Sequence, residues 1–340
     1  MKGQIHLRVL HISYGSPMIE LSKGLQLKGI QSTSCHFDEH PFNFKPDLCL
    51  NLNLLPQTTR RAKINQFLQK SIQAYDIFHF HFGETFFPDK KDLEILKRAG
   101  KKMVVHHHGS DVRLLSVAQK NNPYVRVKPE WTEEKITNNL SILSKYIDHA
   151  IVQDYELAGY ISDSYKYVHV IPHAIDLNQF KPQYPPMNNT APLVVHAPTK
   201  RNLKGTESII EAVNQLKDSG LSFDFKLIEG MNHQETMNLL AAADIVIDQL
   251  QIGSYGYLSS EAMALGKPVI CYIREDLKAK YPKELPIVHA NPDTITTVLR
   301  DLINHPNQWK NLGVRGRTYV YNYHRTQKVI NQYVDIYRKL

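Results

Sequence analysis

At 340 residues the chain exceeds one ordinary domain and suits two of about 150 residues each. A composition of 42% hydrophobic and 22% charged residues excludes a disordered polymer, and no apolar run approaches the ~18 residues that a membrane span needs. The formal net charge of +8 suits an anionic ligand, an anionic membrane face or an ordinary basic surface. Without an Arg/Lys block interleaved with stacking aromatics, it does not indicate nucleic acid.

The opening MKGQIHLRVLHIS lacks the apolar stretch of a secretory leader. Cys35, Cys49 and Cys271, odd in number and far apart, fit a reducing compartment and form no zinc or redox motif. A cytoplasmic protein is expected, with peripheral contact at the inner membrane face as the variant that the basic charge allows. Leu7–Ile12 reads as a strand ended by Tyr14, Gly15, Ser16 and Pro17, and Met18–Lys28 as an amphipathic helix closed by Gly29. Arg60, Arg61, Lys63 and Lys70 surround Ile64, Phe67, Leu68 and Ile72 in a basic amphipathic stretch. Such a helix either packs on its own domain or touches a membrane. Ile77–His81 and Met103–His107 are strand candidates separated by a helical pattern over Asp89–Arg98, and Ile151–Gln153 and Val168–Ile171 follow.

Gln179–Pro192 contains Pro182, Pro185, Pro186 and Pro192 and reads as a linker. The alternation then restarts with strand Leu193–His196, helix Thr206–Ser219, strand Phe225–Glu229, helix Gln234–Ala243 and strand Asp244–Asp248. Helix Ser259–Leu265, strand Pro268–Tyr272 and terminal helices from Pro292 to Leu340 complete it. Short apolar strands alternating with helices predict an α/β protein of two doubly wound domains, residues 1–178 and 193–322. The expected boundaries leave 179–192 as linker and 323–340 as a helix packing back on the first domain. Doubly wound sheets bind ligands at the carboxyl ends of their strands, so two such domains facing across a cleft would each take one substrate.

The segment Gly253–Ile270 follows a strand, passes a glycine-containing loop and enters a helix near Ser259. Its free backbone N–H groups and helix dipole suit a diphosphate, and Glu261 in the first helical turn can accept hydrogen bonds from vicinal sugar hydroxyls. Read plainly, it is also a strand–loop–helix unit with a stabilising first-turn acid. Arg201 and Lys204, beside Gly205, form a basic turn before a helix, suited to a diphosphate or simply to solvent. His106, His107 and His108 are consecutive; adjacent strand positions point to opposite faces and cannot all converge, so no metal site is expected. Asp111 reads as orienting that loop or capping the next turn. Gly15 is a lone glycine after the first strand, and the absence of GxGxxG argues against a dinucleotide oxidoreductase.

The run Gly253-Ser-Tyr-Gly-Tyr-Leu-Ser-Ser-Glu261-Ala-Met-Ala-Leu-Gly266-Lys-Pro-Val-Ile resembles the donor-site signature of family 4 retaining glycosyltransferases, which have the GT-B fold. The resemblance implies that Glu261 binds the nucleotide ribose as the second glutamate of an E-x7-E motif. It places Ser254, Tyr255, Gly256, Tyr257 and Leu258 along the donor sugar and diphosphate. Gly253 stands where that family has its first glutamate. The Lys204-Gly205 segment resembles the family's basic loop, implying that Arg201 and Lys204 neutralise the departing diphosphate without a metal. His108 resembles the histidine of a His-Gly-x-Asp segment, which hydrogen-bonds the transferred sugar, and Gly15 resembles the family's first glycine loop.

Tyr75–His81 and Val170–Asp176 match further family segments, read here as fold markers with structural histidines. The implied activity is transfer of a sugar from a nucleoside diphosphate, UDP above all, to a glycan, lipid-linked or small hydroxyl acceptor in cell-surface glycan or polysaccharide synthesis. No cofactor is implied. The alternative is a catalytically inactive GT-B paralogue serving as an acceptor-binding partner subunit; a sugar-nucleotide epimerase would need acid/base carboxylates that the sequence does not place.

Overall fold

A computed structural model describes residues 7–12, 15–41 and 43–340; Tyr14, read as part of the turn after the first strand, lies outside them. The chain divides into two compact units. The first comprises Met1–Arg113, Glu130–Ala174 and Thr326–Leu340, the second Leu114–Pro129 and Ile175–Arg325.

The first unit is built on strands β1 (Arg8–Ile12), β2 (Gln31–His36), β3 (Leu48–Cys49), β4 (Ile77–His81), β5 (Lys102–His107), β6 (His149–Val152) and β7 (Tyr167–Val170). They form a parallel seven-stranded sheet in the order β3-β2-β1-β4-β5-β6-β7. On one face Val9, Ile77, Val104 and Ile151 pack with Leu21 and Leu25 of helix Gly15–Leu27 and with Val329, Ile330, Tyr333 and Tyr337 of the C-terminal helix Thr326–Tyr337. Those two helices close on each other at Gly24, where a Cβ would stand 2.6 Å from Ile330 Cγ1. Hydropathy missed β2 because its residues, QSTSCH, are polar. Asp47 supplies the missing support, accepting from Ser34 N (2.7 Å) and Ser34 Oγ (2.6 Å). The basic helix, Gln57–Ala74, turns its apolar stripe inward, burying Leu68 and setting Phe67 on Phe86 with ring centroids 5.7 Å apart.

The second unit is built on β8 (Leu193–His196), β9 (Asp224–Leu227), β10 (Ile245–Ile247), β11 (Val269–Cys271) and β12 (Val288–His289), parallel in the order β12-β11-β10-β8-β9. Successive residues face opposite layers. Val194, Ile245, Ile247 and Ile270 pack with Ile209, Leu216 and Trp309, whereas Val195, Val246 and Val269 pack with Met263 and Tyr319. Burial on both faces is why β10 and β11, and β8 up to His196, are continuously apolar, whereas the edge strand β9 is not. In each sheet the strand order reverses once, at β1/β4 and at β8/β10, and that reversal is where doubly wound sheets open a ligand crevice.

Two segments differ from the contiguous division expected. Gln179–Pro192 is packed onto the second unit. Phe180 is buried in its core, Gln183 N donates to Leu265 O (2.8 Å), and Arg317 donates to Phe180 O (2.9 Å). Prolines stop this stretch joining a sheet, but its apolar side chains still find a core. Leu114–Pro129 also joins the second unit, where Asn122 donates to the carbonyls of Gln251 (2.7 Å) and Ile252 (3.1 Å).

Candidate functional site

In the second unit the loops after β8 and β10 meet at the switch point. Residues 201–204 form one helical turn that ends at Gly205, whose φ of 77° is left-handed. That turn aims Lys204 at the β10 loop. Its Nζ lies 3.1 Å from Asp248 Oδ1, bonds the Gln249 side-chain oxygen, and would be 3.5 Å from a Cβ on Gly256. Asp248 is buried and also accepts from Gly256 N (3.0 Å) and Ser259 Oγ (2.7 Å). Burial alone would raise its carboxyl, but Lys204 and these hydrogen bonds hold it below the usual carboxylate range. The result is a buried carboxylate ringed by one ammonium, one backbone N–H and one hydroxyl, which fixes Lys204 at the switch point.

Helix Tyr257–Ala264 begins two residues before Ser259, so Glu261 sits in its second turn rather than its first. There the carboxylate is buried and gains a specific partner instead of a helix-dipole contact, with His233 Nε2 2.7 Å from Oε1. His233 opens the helix that follows Gly230, after β9.

The remaining candidates divide. Ser254 is buried and its carbonyl accepts from Gln249 Nε2 and Cys271 Sγ, a structural role. Tyr255 directs its hydroxyl to Tyr319 (3.2 Å) and His324 (3.0 Å) within the second unit. Tyr257 and Leu258 are half-buried against the core. Arg201 is not drawn to the Asp248 cluster; it pairs at the surface with Glu207 (2.9 Å) and Glu229 (3.2 Å). Gly253 has φ 92°, and a Cβ there would stand 2.5 Å from Arg274 Cγ, in a side chain fixed to Asp276 by contacts of 2.9 and 2.7 Å. A glutamate does not fit this loop as it is folded.

In the first unit, His107 and His108 diverge as strand geometry requires. His107 is buried between Asp111 Oδ2 (2.7 Å from Nδ1) and the Tyr165 hydroxyl (2.9 Å from Nε2). Asp111 also accepts from the backbone N–H groups of His108 (3.0 Å) and Gly109 (2.9 Å), so it orients the loop. Burial would raise the Asp111 carboxyl, and the contacts with His107 and His108 hold it down instead. His108 is half-buried and its Nε2 lies 3.2 Å from His81 Nδ1; burial drives its pKa down to about 4. Gly15 begins its helix with φ 30°, a conformation few side chains accept.

Sequence reasoning missed Asp248, Gln249, His233 and Arg274. An acid directly after an apolar strand in a doubly wound half was a usable signal for Asp248. Nothing local marks Arg274, whose role comes from packing on Gly253.

Two parallel doubly wound sheets with these strand orders define an α/β protein with the fold of GT-B glycosyltransferases. Sucrose-phosphate synthase from Thermosynechococcus elongatus is similar over 98% of this chain and 99% of its own, with TM-score 0.70 and 15% identity. Anabaena HepE in complex with UDP-glucose is similar over 98% of this chain and 100% of its own, with TM-score 0.67 and 13% identity. The catalytic domain of starch synthase IV from Arabidopsis thaliana, bound to ADP and acarbose, gives TM-score 0.64 at 13% identity, over 98% of this chain and 99% of its own. In sequence the chain is similar to an MMP alpha-(1->4)-mannosyltransferase of Mycolicibacterium hassiacum, 23% identical over 200 residues, or 51% of this chain. It spans about half, 48%, of that curated relative. No family model matches.

Proposed function

We propose that this protein is a retaining, metal-independent glycosyltransferase that moves a hexose from a nucleoside-diphosphate sugar, UDP-linked, to a hydroxyl acceptor in cell-surface glycan or polysaccharide synthesis. The observation that carries this reading is the cluster at the β8/β10 switch point, where Lys204, Gly256 N and Ser259 Oγ converge on the Asp248 carboxylate. The Gly256 N–H and the Ser259 hydroxyl proton are given to Asp248, but the Lys204 ammonium has three N–H groups and is held at the switch point, where a fixed cation stabilises a departing diphosphate. Glu261 and His233 are assigned to the nucleotide's hydroxyls and His108 to the transferred sugar. Gly15 is assigned to donor binding, its loop letting backbone approach the diphosphate or the acceptor, with residues 1–178 as acceptor domain and 193–322 as donor domain. UDP-glucose in HepE and the mannosyltransferase relative favour a nucleotide-sugar donor. A glycan, lipid-linked or small hydroxyl compound is the acceptor. The exposed basic side of Gln57–Ala74 is the segment assigned to peripheral contact with an inner membrane face.

The test is UDP release from a panel of UDP-sugars. We expect Lys204→Ala to lower turnover roughly 100-fold. The same change strands Asp248, at a cost of about 3–5 kcal/mol in stability. The double variant Lys204→Ala/Asp248→Asn separates the two effects: it should regain stability without regaining turnover. Full turnover in the double variant sinks the assigned role. A second reading, an inactive paralogue acting as partner subunit, is favoured by Gly253 and its packing against Arg274. Nucleotide binding without turnover of any sugar, with or without an acceptor, supports that reading instead.

A further inference from the structure

Five histidines adjoin one another on one face of the first unit's sheet: His11 on β1, His79 and His81 on β4, His106 on β5, and His108 just beyond it. The parallel register sets His11 beside His79 and His81 beside His106. Ring centroids of His106 and His108 are 4.2 Å apart, and those of His81 and His106 5.5 Å. One nitrogen from each of His81, His106 and His108 lies within 4.8 Å of one from each of the others. A folded protein seldom leaves buried polar atoms without partners, yet His11 Nε2, His79 Nε2 and His106 Nε2 all have none.

We infer that His81, His106 and His108 bind one divalent transition-metal ion, Zn2+ or a borderline cation of similar preference, through three neutral imidazoles at the carboxyl ends of β4 and β5. Imidazole nitrogen suits zinc, cobalt, nickel and copper, and three histidines leave an open coordination position. Burial supports the site by keeping the rings unprotonated, His108 with a pKa near 4 and the other two well below the usual histidine value. The outer contacts also fit. Ligating histidines donate their second N–H to a neighbour. His81 Nε2 lies 3.1 Å from His11 Nδ1, and His106 Nδ1 lies 3.4 Å from the Tyr333 hydroxyl, which leaves the unpartnered His106 Nε2 for the ion. Asp111, which acts on His108 electrostatically, supplies nearby negative charge. The second trio, His11, His79 and His81, is buried at every member, whereas His108 is half-buried and gives an ion a way in. Strand alternation excludes His107 from convergence; the third ligand comes from the neighbouring strand. The site is inferred without the glycosyltransferase reading and gives the ion no part in sugar transfer; an ion held by His108 replaces that residue's assigned contact with the sugar, so the two roles of His108 are alternatives.

The test uses the full chain stripped with chelator and titrated with Zn2+ by calorimetry and with Co2+ by visible absorption. We expect one ion per chain and tetrahedral Co2+ bands. Both should be lost in His106→Ala and unchanged in His149→Ala, whose histidine belongs to a separate pair with His169 (3.0 Å). His11→Ala, changing only an outer contact, should weaken binding roughly 10–100-fold. Absence of saturable binding, or equal loss in His149→Ala, overturns the site. Because core variants can fail to fold, the zinc K-edge spectrum of the unsubstituted protein is a second readout: three imidazole neighbours at about 2.0 Å support the site, and fewer than three overturn it.

Discussion

Gly253 shows how one residue can alter a motif without disturbing the fold. Its φ of 92° and the nearness of Arg274 mean that the loop was shaped around the absence of a side chain. We expect Gly253→Glu, which restores the acid of the E-x7-E pattern, to lose about 1–3 kcal/mol through backbone strain alone and to gain no turnover. Urea unfolding paired with a UDP-release assay checks both halves; a stable and more active variant would show that the loop re-forms readily. The identity of Gly253 was legible from the sequence. Its conformation and its clash with Arg274 were not, because they arise from a residue 21 positions away in the chain.

At the scale of elements, the histidine face of β1, β4 and β5 has a pH signature. Burial lowers the pKa of His11 to about 3 and of His108 to about 4, and sends His79, His81 and His106 well below the usual value. The folded chain therefore keeps these rings neutral while the unfolded chain takes up protons below about pH 6.5. Stability is full above that pH and falls as pH drops toward the folded values, by up to ~1.4 kcal/mol per pH unit for each histidine. Asp111, with its carboxyl held down, adds a loss only below about pH 4. We expect the urea midpoint, measured in chelator, to fall steeply between pH 6.5 and 5; a flat midpoint over that span contradicts neutral burial of the cluster. Most strands were readable from their apolar runs, β4 and β8 to the residue, but the polar β2 and the two-residue β3 and β12 were not. Helix Tyr257–Ala264 starts earlier than its sequence suggested because Asp248 secures Gly256 N and Ser259 Oγ from outside the helix.

For the whole molecule, the C-terminal helix closes the first unit's core after the chain has built the second. Truncation at Arg325 removes Val329, Ile330, Tyr333, Val334, Ile336 and Tyr337, all buried. At ~1.5–3 kcal/mol each, their burial is worth roughly 9–18 kcal/mol, which matches or exceeds the usual total of about 5–15. We expect the truncated chain to lose the first unit and keep the second, so that limited proteolysis leaves a resistant fragment within 175–325. Resistance of both units would place the helix outside the first unit's essential core.

The sequence by itself determined the alternation of strand and helix, the two parallel sheets and the segments that carry the candidate site, because period and apolar burial are local properties. Tertiary structure decided which segment completes which core: the proline-rich stretch and residues 114–129 with the second unit, the last helix with the first. It also decided which charges meet. Lys204 reaches Asp248 while Arg201 stays with surface glutamates, and His81 joins His106 and His108 across strands. Those pairings depend on strand order and register, which no local spacing encodes.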